Sequence, residues 1–134
     1  MIFVIGGEYQ GKLNYVLNLK NLKEEDAVDG FCGSERELRE KLIIYNFHLL
    51  IKKLLKEEDN LDLVKKKINN IIEKNPKVII ISNEIGYGVV PIDDFDRNYR
   101  ELTGRISCEI AKEAREVHRV ICGIGSIIKG EEND

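Results

Sequence analysis

Lys12 has the surroundings that most clearly point to chemistry. It closes the run Gly6-Gly7-Glu8-Tyr9-Gln10-Gly11-Lys12, which has the spacing of a glycine-rich phosphate loop. Glycines placed this way let the backbone curl until successive N–H groups converge on an anion, and the lysine ammonium adds a full positive charge. The flanks fit as well. An apolar run, Ile2-Phe3-Val4-Ile5, stops at the double glycine, and a helical pattern starts at Lys12. A strand therefore feeds a loop that opens a helix, whose N-terminus favours phosphate. One position departs from the motif. Leu13 stands where a Ser or Thr hydroxyl would hold Mg²⁺, so a metal here would have to rest on water and a carboxylate. The candidate binding residues are Gly6, Gly7, Glu8, Tyr9, Gln10, Gly11, Lys12 and Leu13.

Two carboxylates are candidates to hold a metal or orient a hydroxyl. Asp29 follows a short apolar pair, and its plain reading is a turn residue before Gly30. Glu84 stands at the end of a strong strand. There a functional role and an ion pair with Arg97 or Arg100 are equally good readings. His48 lies among apolar residues and reads as a core or interface histidine. His118 reads as a helix C-terminal residue favoured by the dipole. Cys32, Cys108 and Cys122 are widely spaced, without CxxC or nearby His, which argues for reduced thiols rather than a disulfide or zinc site.

The elements that must position these groups follow from apolar periodicity. A short helix is expected over Lys12–Leu19 and a weak strand over Ala27–Gly30. Ser34 and Glu37 form a capping box that opens a helix from Glu35 to about Lys56. Between Leu42 and Leu55 that segment is apolar nearly all round, which predicts a subunit contact. A second helix starts near Asn60 and closes at Asn75-Pro76, since the residue before proline leaves the α region. Lys77–Ser82 is a β-branched strand of the doubly covered kind. It enters the loop Asn83-Glu84-Ile85-Gly86-Tyr87-Gly88-Val89-Val90-Pro91. Asp93–Val117 is a long amphipathic helix, Arg119–Cys122 a last strand, and the tail from Lys129 a frayed end. The order predicts an α/β fold of one domain over residues 1–134, an open parallel sheet in three layers with helices on both faces. Ligands of such sheets sit beyond the carboxyl ends of the strands, so Gly6–Lys12, Asn83–Pro91 and Gly123–Gly125 should meet.

The chain has 134 residues and a net charge of −3, with acids and bases interspersed. No basic footprint for nucleic acid is present and no segment is long and apolar enough for a membrane span. Together with the cysteine usage, this predicts a cytoplasmic protein.

The run Ser82 to Pro91 resembles the signature loop of the adenosylcobinamide kinase/adenosylcobinamide-phosphate guanylyltransferase family. The likeness continues through Arg97, Tyr99-Arg100, Gly104-Arg105, Ala111, Ala114, Glu116-Val117, Gly123-Ile124-Gly125 and Ile128-Lys129, and Gly6-Gly7 with Gly11-Lys12 match the N-terminal loop of that family. The resemblance implies a P-loop NTPase-like α/β fold, commonly a homo-oligomeric trimer. It also implies phosphorylation of cobinamide by ATP or GTP with Mg²⁺, then transfer of GMP through an enzyme histidine. Lys12, Glu84 and Asp29 become the catalytic candidates, and Asn83, Glu84, Gly86, Gly88 and Pro91 the substrate loop. The chain departs from the family at Leu13, in a much shorter segment before the mid-chain helices, in the missing histidine–arginine motif, and at Ser107-Cys108. A shortened relative without catalysis, binding nucleotide or a corrinoid or pairing with another subunit, is the alternative.

Overall fold

A computed structural model describes residues 1–85 and 93–130, and every structural statement below concerns those residues. The sheet is built around β1 (Ile2–Gly6), with β4 (Ile79–Asn83) on one side and β5 (Glu116–Ile121) on the other, both parallel to it. Beyond β4 lie β3 (Ile43–Tyr45) and then β2 (Ala27–Asp29), also parallel. The full order is β2-β3-β4-β1-β5-β6, where β6 (Ile124–Lys129) returns antiparallel to β5 through a tight turn. The parallel α/β sheet expected from the sequence is present, with one antiparallel strand added at its edge. Register aligns Gly6 with Asn83 and with Val120, so three strands end at one level.

Strand alternation sends side chains to two separate cores. On one face Phe3, Ile44, Ile80 and Val117 pack under α3 (Phe47–Glu57), α4 (Leu61–Lys74) and α5 (Asp94–Glu113). On the other, Ile2, Val4, Ile43, Ile79, Ile81 and Val120 pack under α1 (Lys12–Lys20), chiefly through Val16. Among the described residues no helix is long and apolar enough to cross a membrane.

The single helix expected over Glu35–Lys56 is instead three elements. The short α2 (Glu35–Glu40) starts at the Ser34–Glu37 capping box, as its sequence implies, but stops at Lys41, whose backbone is extended. Ile43 and Ile44 then enter the sheet as β3, each fully buried and facing opposite cores. Asn46, in the left-handed region at φ 52°, turns the chain into α3. The all-round apolar pattern joins strand residues covered on both faces, Ile43 and Ile44, to the one buried face of α3. Phe47, Leu50, Ile51 and Leu55 are all buried within the chain, which removes the packing argument for a subunit contact there. Asn75 secures the rearranged segment. Its buried amide donates to the carbonyls of Leu38 and Lys41, at 3.0 and 2.9 Å, where α2 gives way to β3.

The long C-terminal helix also ends earlier than expected, at Glu113, because Glu116 and Val117 begin β5. Lys129 closes β6, and its ammonium donates to the carbonyls of Ala111 and Lys112. Residues 131–134 of the expected tail lie outside the described residues.

Candidate active site

The loop Gly6–Lys12 crosses the carboxyl ends of β1 and β5 and is tied down at several points. The Glu84 N–H donates to the Gly6 carbonyl at 2.9 Å, fixing the end of β4 against it. Gln10 grips the β5–β6 turn twice. Its side-chain oxygen accepts from the Cys122 N–H at 2.6 Å, and its carbonyl accepts from the Gly123 N–H at 2.7 Å. The expected meeting of the first loop with the ends of β4 and β5 is therefore seen. Two glycines are required by this geometry. A Cβ on Gly6 would strike the carbonyl oxygen of Val120, and Gly11 sits at φ 79° as the residue before α1. Tyr9, at φ 59°, presents an exposed ring at the loop tip.

Lys12 opens α1 with its side chain folded back beneath the loop. Only 8 % exposed, its ammonium donates to the Gly7 carbonyl at 2.6 Å. Burial lowers its pKa from the ordinary lysine value, while the Glu8 and Glu84 charges act in the opposite sense. A buried ammonium has three protons to donate, and this carbonyl takes one.

The cleft above Lys12 has a volume of about 550 Å³. One wall is the loop itself, Glu8 to Asn14. The other is the β3–α3 junction, with Tyr45, Asn46, His48 and Leu49, and its floor includes Ile81 and Asn83. The sequence-predicted residues Glu8, Tyr9, Gln10, Gly11, Lys12, Leu13 and Asn83 thus share one cavity. Gly86, Gly88 and Pro91 of the expected substrate loop lie outside the described residues.

The two candidate carboxylates are placed otherwise. Glu84 is held by Arg119 of β5, Nε to Oε1 at 2.9 Å with a second contact at 3.3 Å. The partner foreseen from sequence was Arg97 or Arg100. Arg119 reaches Glu84 because β5 lies next to β1 and presents Arg119 on its exposed side. Glu84 lines a different groove, with Ile85, Thr103 and Ser107. Asp29 ends β2 in a turn, where Oδ1 accepts from the Phe31 N–H at 2.8 Å and from the Asn46 side chain at 3.3 Å. Among the described residues Glu8 is the carboxylate that lines the cleft, and no cluster of three or more His, Cys, Asp or Glu could hold a metal ion. With Leu13 at the hydroxyl position, the residues present do not fit a protein-ligated Mg²⁺.

His48 is the residue that sequence reasoning passed over. It lies in the first turn of α3 and lines the cleft at 7 % exposure. Its Nδ1 accepts from the Asn83 N–H at 3.2 Å, and its carbonyl accepts from the Tyr99 hydroxyl. Burial, and then the Lys12 charge, push its pKa down to about 4, with Asp29 opposing and Lys52 adding to the fall. The ring is thus neutral near pH 7, with its proton on Nε2. A signal for this residue was available. Had Ile43–Tyr45 been read as a strand, His48 would have stood just beyond a strand end, where ligands collect.

Comparison with known proteins adds a family. The family described as cobinamide kinase / cobinamide phosphate guanyltransferase matches residues 16–128. The chain belongs to that family. It is 42 % identical over 53 residues to the bifunctional adenosylcobalamin biosynthesis protein CobU of Escherichia coli (strain K12), covering 40 % of this chain and 29 % of that one. The CobU of Salmonella typhimurium gives the same identity and coverage. The bifunctional adenosylcobalamin biosynthesis protein CobP of Pseudomonas aeruginosa is 29 % identical over 115 residues, 84 % of this chain and 66 % of that one. The chain thus matches less than a third of the two CobU proteins and about two-thirds of CobP. The family match begins at Val16, after the loop, so the reading of Gly6–Lys12 rests on the loop's own sequence and geometry.

Proposed function

We propose that this chain binds ATP or GTP with its phosphates on Gly7–Lys12 and acts in cobalamin biosynthesis as a phosphotransferase toward cobinamide. The observation that carries the reading is the buried Lys12 ammonium under an uncapped helix N-terminus, opening into a cleft of nucleotide size. A polyphosphate at that point would accept the remaining lysine protons and offset the cost of burying the charge. In the transfer, the cobinamide hydroxyl oxygen forms a bond to the γ-phosphorus, and the bond from that phosphorus to the bridging oxygen breaks. The nucleoside diphosphate leaves, and the hydroxyl proton passes to solvent. Lys12 and the loop N–H groups stabilise charge on the transferring group. No step is drawn through Mg²⁺. Glu84 and Asp29 keep their candidate roles only if they exchange present partners for substrate. A cytoplasmic location and a homo-oligomer, such as a trimer, belong to the same reading.

Leu13 and the shortage of cleft carboxylates favour a second reading, a relative that binds nucleotide or corrinoid without transferring phosphate. One set of measurements separates the two. With nucleotide about a hundredfold above its Kd, the melting temperature should rise by several degrees, and Lys12→Ala should remove the rise. No rise with ATP or GTP overturns the binding claim. Cobinamide phosphate formed from cobinamide, ATP or GTP and Mg²⁺ supports the phosphotransferase. Product from Leu13→Ser alone supports the non-catalytic relative.

A further inference from the structure

Five α-helices begin in the described residues, and their N-termini fall into two groups. Those of α2, α4 and α5 are closed by side chains, with Ser34, Asn60 and Asp93 accepting from the N–H groups of Glu37, Leu63 and Asp96. Those of α1 and α3 have no side-chain cap, and each follows a residue in the left-handed region, Gly11 and Asn46. Both uncapped ends line the same cleft. A capping side chain normally stabilises a helix start, so an Asn that stands at the cap position and does not cap calls for a reason. The Asn46 side chain is turned away, donating to Asp29. The Leu49 and Leu50 N–H groups both donate to the Asn46 carbonyl, and those of Phe47 and His48 are left without a side-chain cap.

A second observation coincides with this end of the helix. His48, more than nine-tenths buried, lines the cleft with one ring nitrogen used and one available. The Asn83 N–H occupies Nδ1 at 3.2 Å. Among the described residues Nε2 meets no acceptor, and it is not a sealed unsatisfied atom. A neutral ring with its Nδ1 lone pair engaged carries its proton on Nε2, which makes it a donor there and not a nucleophile. Of the charges facing the ring, Lys12 and Lys52 suit an anion. Asp29 opposes one, but its carboxylate is already engaged by the Phe31 N–H and the Asn46 amide.

We propose that the His48 Nε2–H and the uncapped first turn of α3 form a second phosphate-binding pole, across the cleft from the Gly7–Lys12 loop. Its ligand is a phosphate group other than those held by the loop, either the distal end of the nucleotide or a phosphate on the acceptor. The cleft then grips anions at both walls, and His48 sets which phosphate-bearing ligands fit. The pole rests on the nucleotide-cleft reading for its partner ligand, but its N–H donors are separate from those of Lys12 and its loop.

The test maps amide shifts by NMR, first with a non-hydrolysable ATP analogue and then with inorganic phosphate added to the saturated protein. Movement of the Phe47 and His48 amides with the analogue alone assigns the pole to the nucleotide. Movement only when inorganic phosphate follows assigns it to a separate phosphate. If neither ligand moves them, the pole is overturned. Failure of the nucleotide reading is a different result, an analogue that leaves residues 7–12 unmoved in the wild-type chain. Two variants then test the ring. His48→Asn keeps an acceptor for the Asn83 N–H but falls short of the cleft, and should weaken binding of whichever of the two ligands moves the pole about tenfold. His48→Gln places an amide N–H near the position of Nε2 and should stay within about threefold. Equal affinity for both variants and the wild type overturns the role of Nε2.

Discussion

Two histidines are buried in this chain, and they differ in what their second ring nitrogen does. His118 lies in β5 on the α1 side of the sheet, away from the cleft, at 1 % exposure. Its Nε2 meets Glu116 Oε1 at 3.1 Å and its Nδ1 meets the Tyr15 hydroxyl at 2.7 Å. The ionised carboxylate can only accept, so Nε2 donates to it, and in the neutral ring the Tyr15 O–H then donates to Nδ1. Every polar site on that ring is used inside the protein, and its effect is to tie α1 to β5. His48, at the wall of the cleft, uses only Nδ1. Burial alone does not separate a structural histidine from a ligand-facing one. The count of satisfied nitrogens does.

The largest break in that contrast comes from truncating each ring. His118→Ala leaves the Glu116 carboxylate buried without its main partner and opens a void between α1 and β5. The expected loss is about 3 kcal/mol or more of unfolding free energy. His48→Ala should lose less, about 1–2 kcal/mol, because water can enter from the cleft and satisfy the Asn83 N–H. Urea denaturation at pH 7 measures both. Equal losses would erase the distinction between the two rings.

Acid titration separates them by pH window. His48 has a folded pKa of about 4 against an ordinary 6.5, so between those values the unfolded chain binds the extra proton. Its contribution to stability is complete above about pH 6.5 and is lost as pH falls toward 4. Glu116 behaves differently. Burial alone would raise its pKa, but hydrogen bonds from His118 and Arg115 outweigh it and hold the carboxyl below its ordinary value. That contribution is present above the ordinary carboxylate pKa and disappears at more acid pH. His48→Gln should therefore flatten stability between pH 6.5 and 4, and Glu116→Gln should flatten it below that range. Chemical denaturation across pH 7 to 3 checks both. A wild-type chain with no slope above pH 4.5 would contradict the burial of a neutral His48.

Much of this arrangement was legible in the sequence because it rests on local signals. Ile2–Ile5 followed by Gly6-Gly7 marks a central strand entering a tight loop, and Lys12 marks the helix that opens it. The β-branched run at Val78–Ile81 gives β4 for the same reason. What failed was the stretch from Leu38 to Leu55. Strand residues buried on both faces and helix residues buried on one face give the same continuous apolar text when they adjoin. With only three residues, β3 is too short to show alternation. Losing β3 hid the cleft wall, since Tyr45, Asn46 and His48 then looked like helix interior. His118 was misplaced for a related reason. The α5 pattern runs smoothly into Ala114 and Val117, and only pairing with β1 reveals that Val117 has left the helix. The Glu84–Arg119 pair is likewise set by strand order, which sequence spacing does not encode.

The smallest expected effect tests whether the His118 network is structural alone. Tyr15→Phe removes one hydroxyl and leaves the ring that packs against Gly125 of β6. His118 Nδ1 then lacks its donor, at a cost of about 1 kcal/mol. The Glu116 contact remains, so the sheet should stay intact and the loss should appear as freer motion of α1. Because α1 begins at Lys12, that freedom could reach the cleft. If the two histidine regions are separate, Tyr15→Phe lowers the urea midpoint slightly and leaves the nucleotide-induced rise in melting temperature unchanged. A reduced rise, with Lys12 and His48 both intact, would mean that the saturated histidine positions the binding helix, and that the two regions act as one.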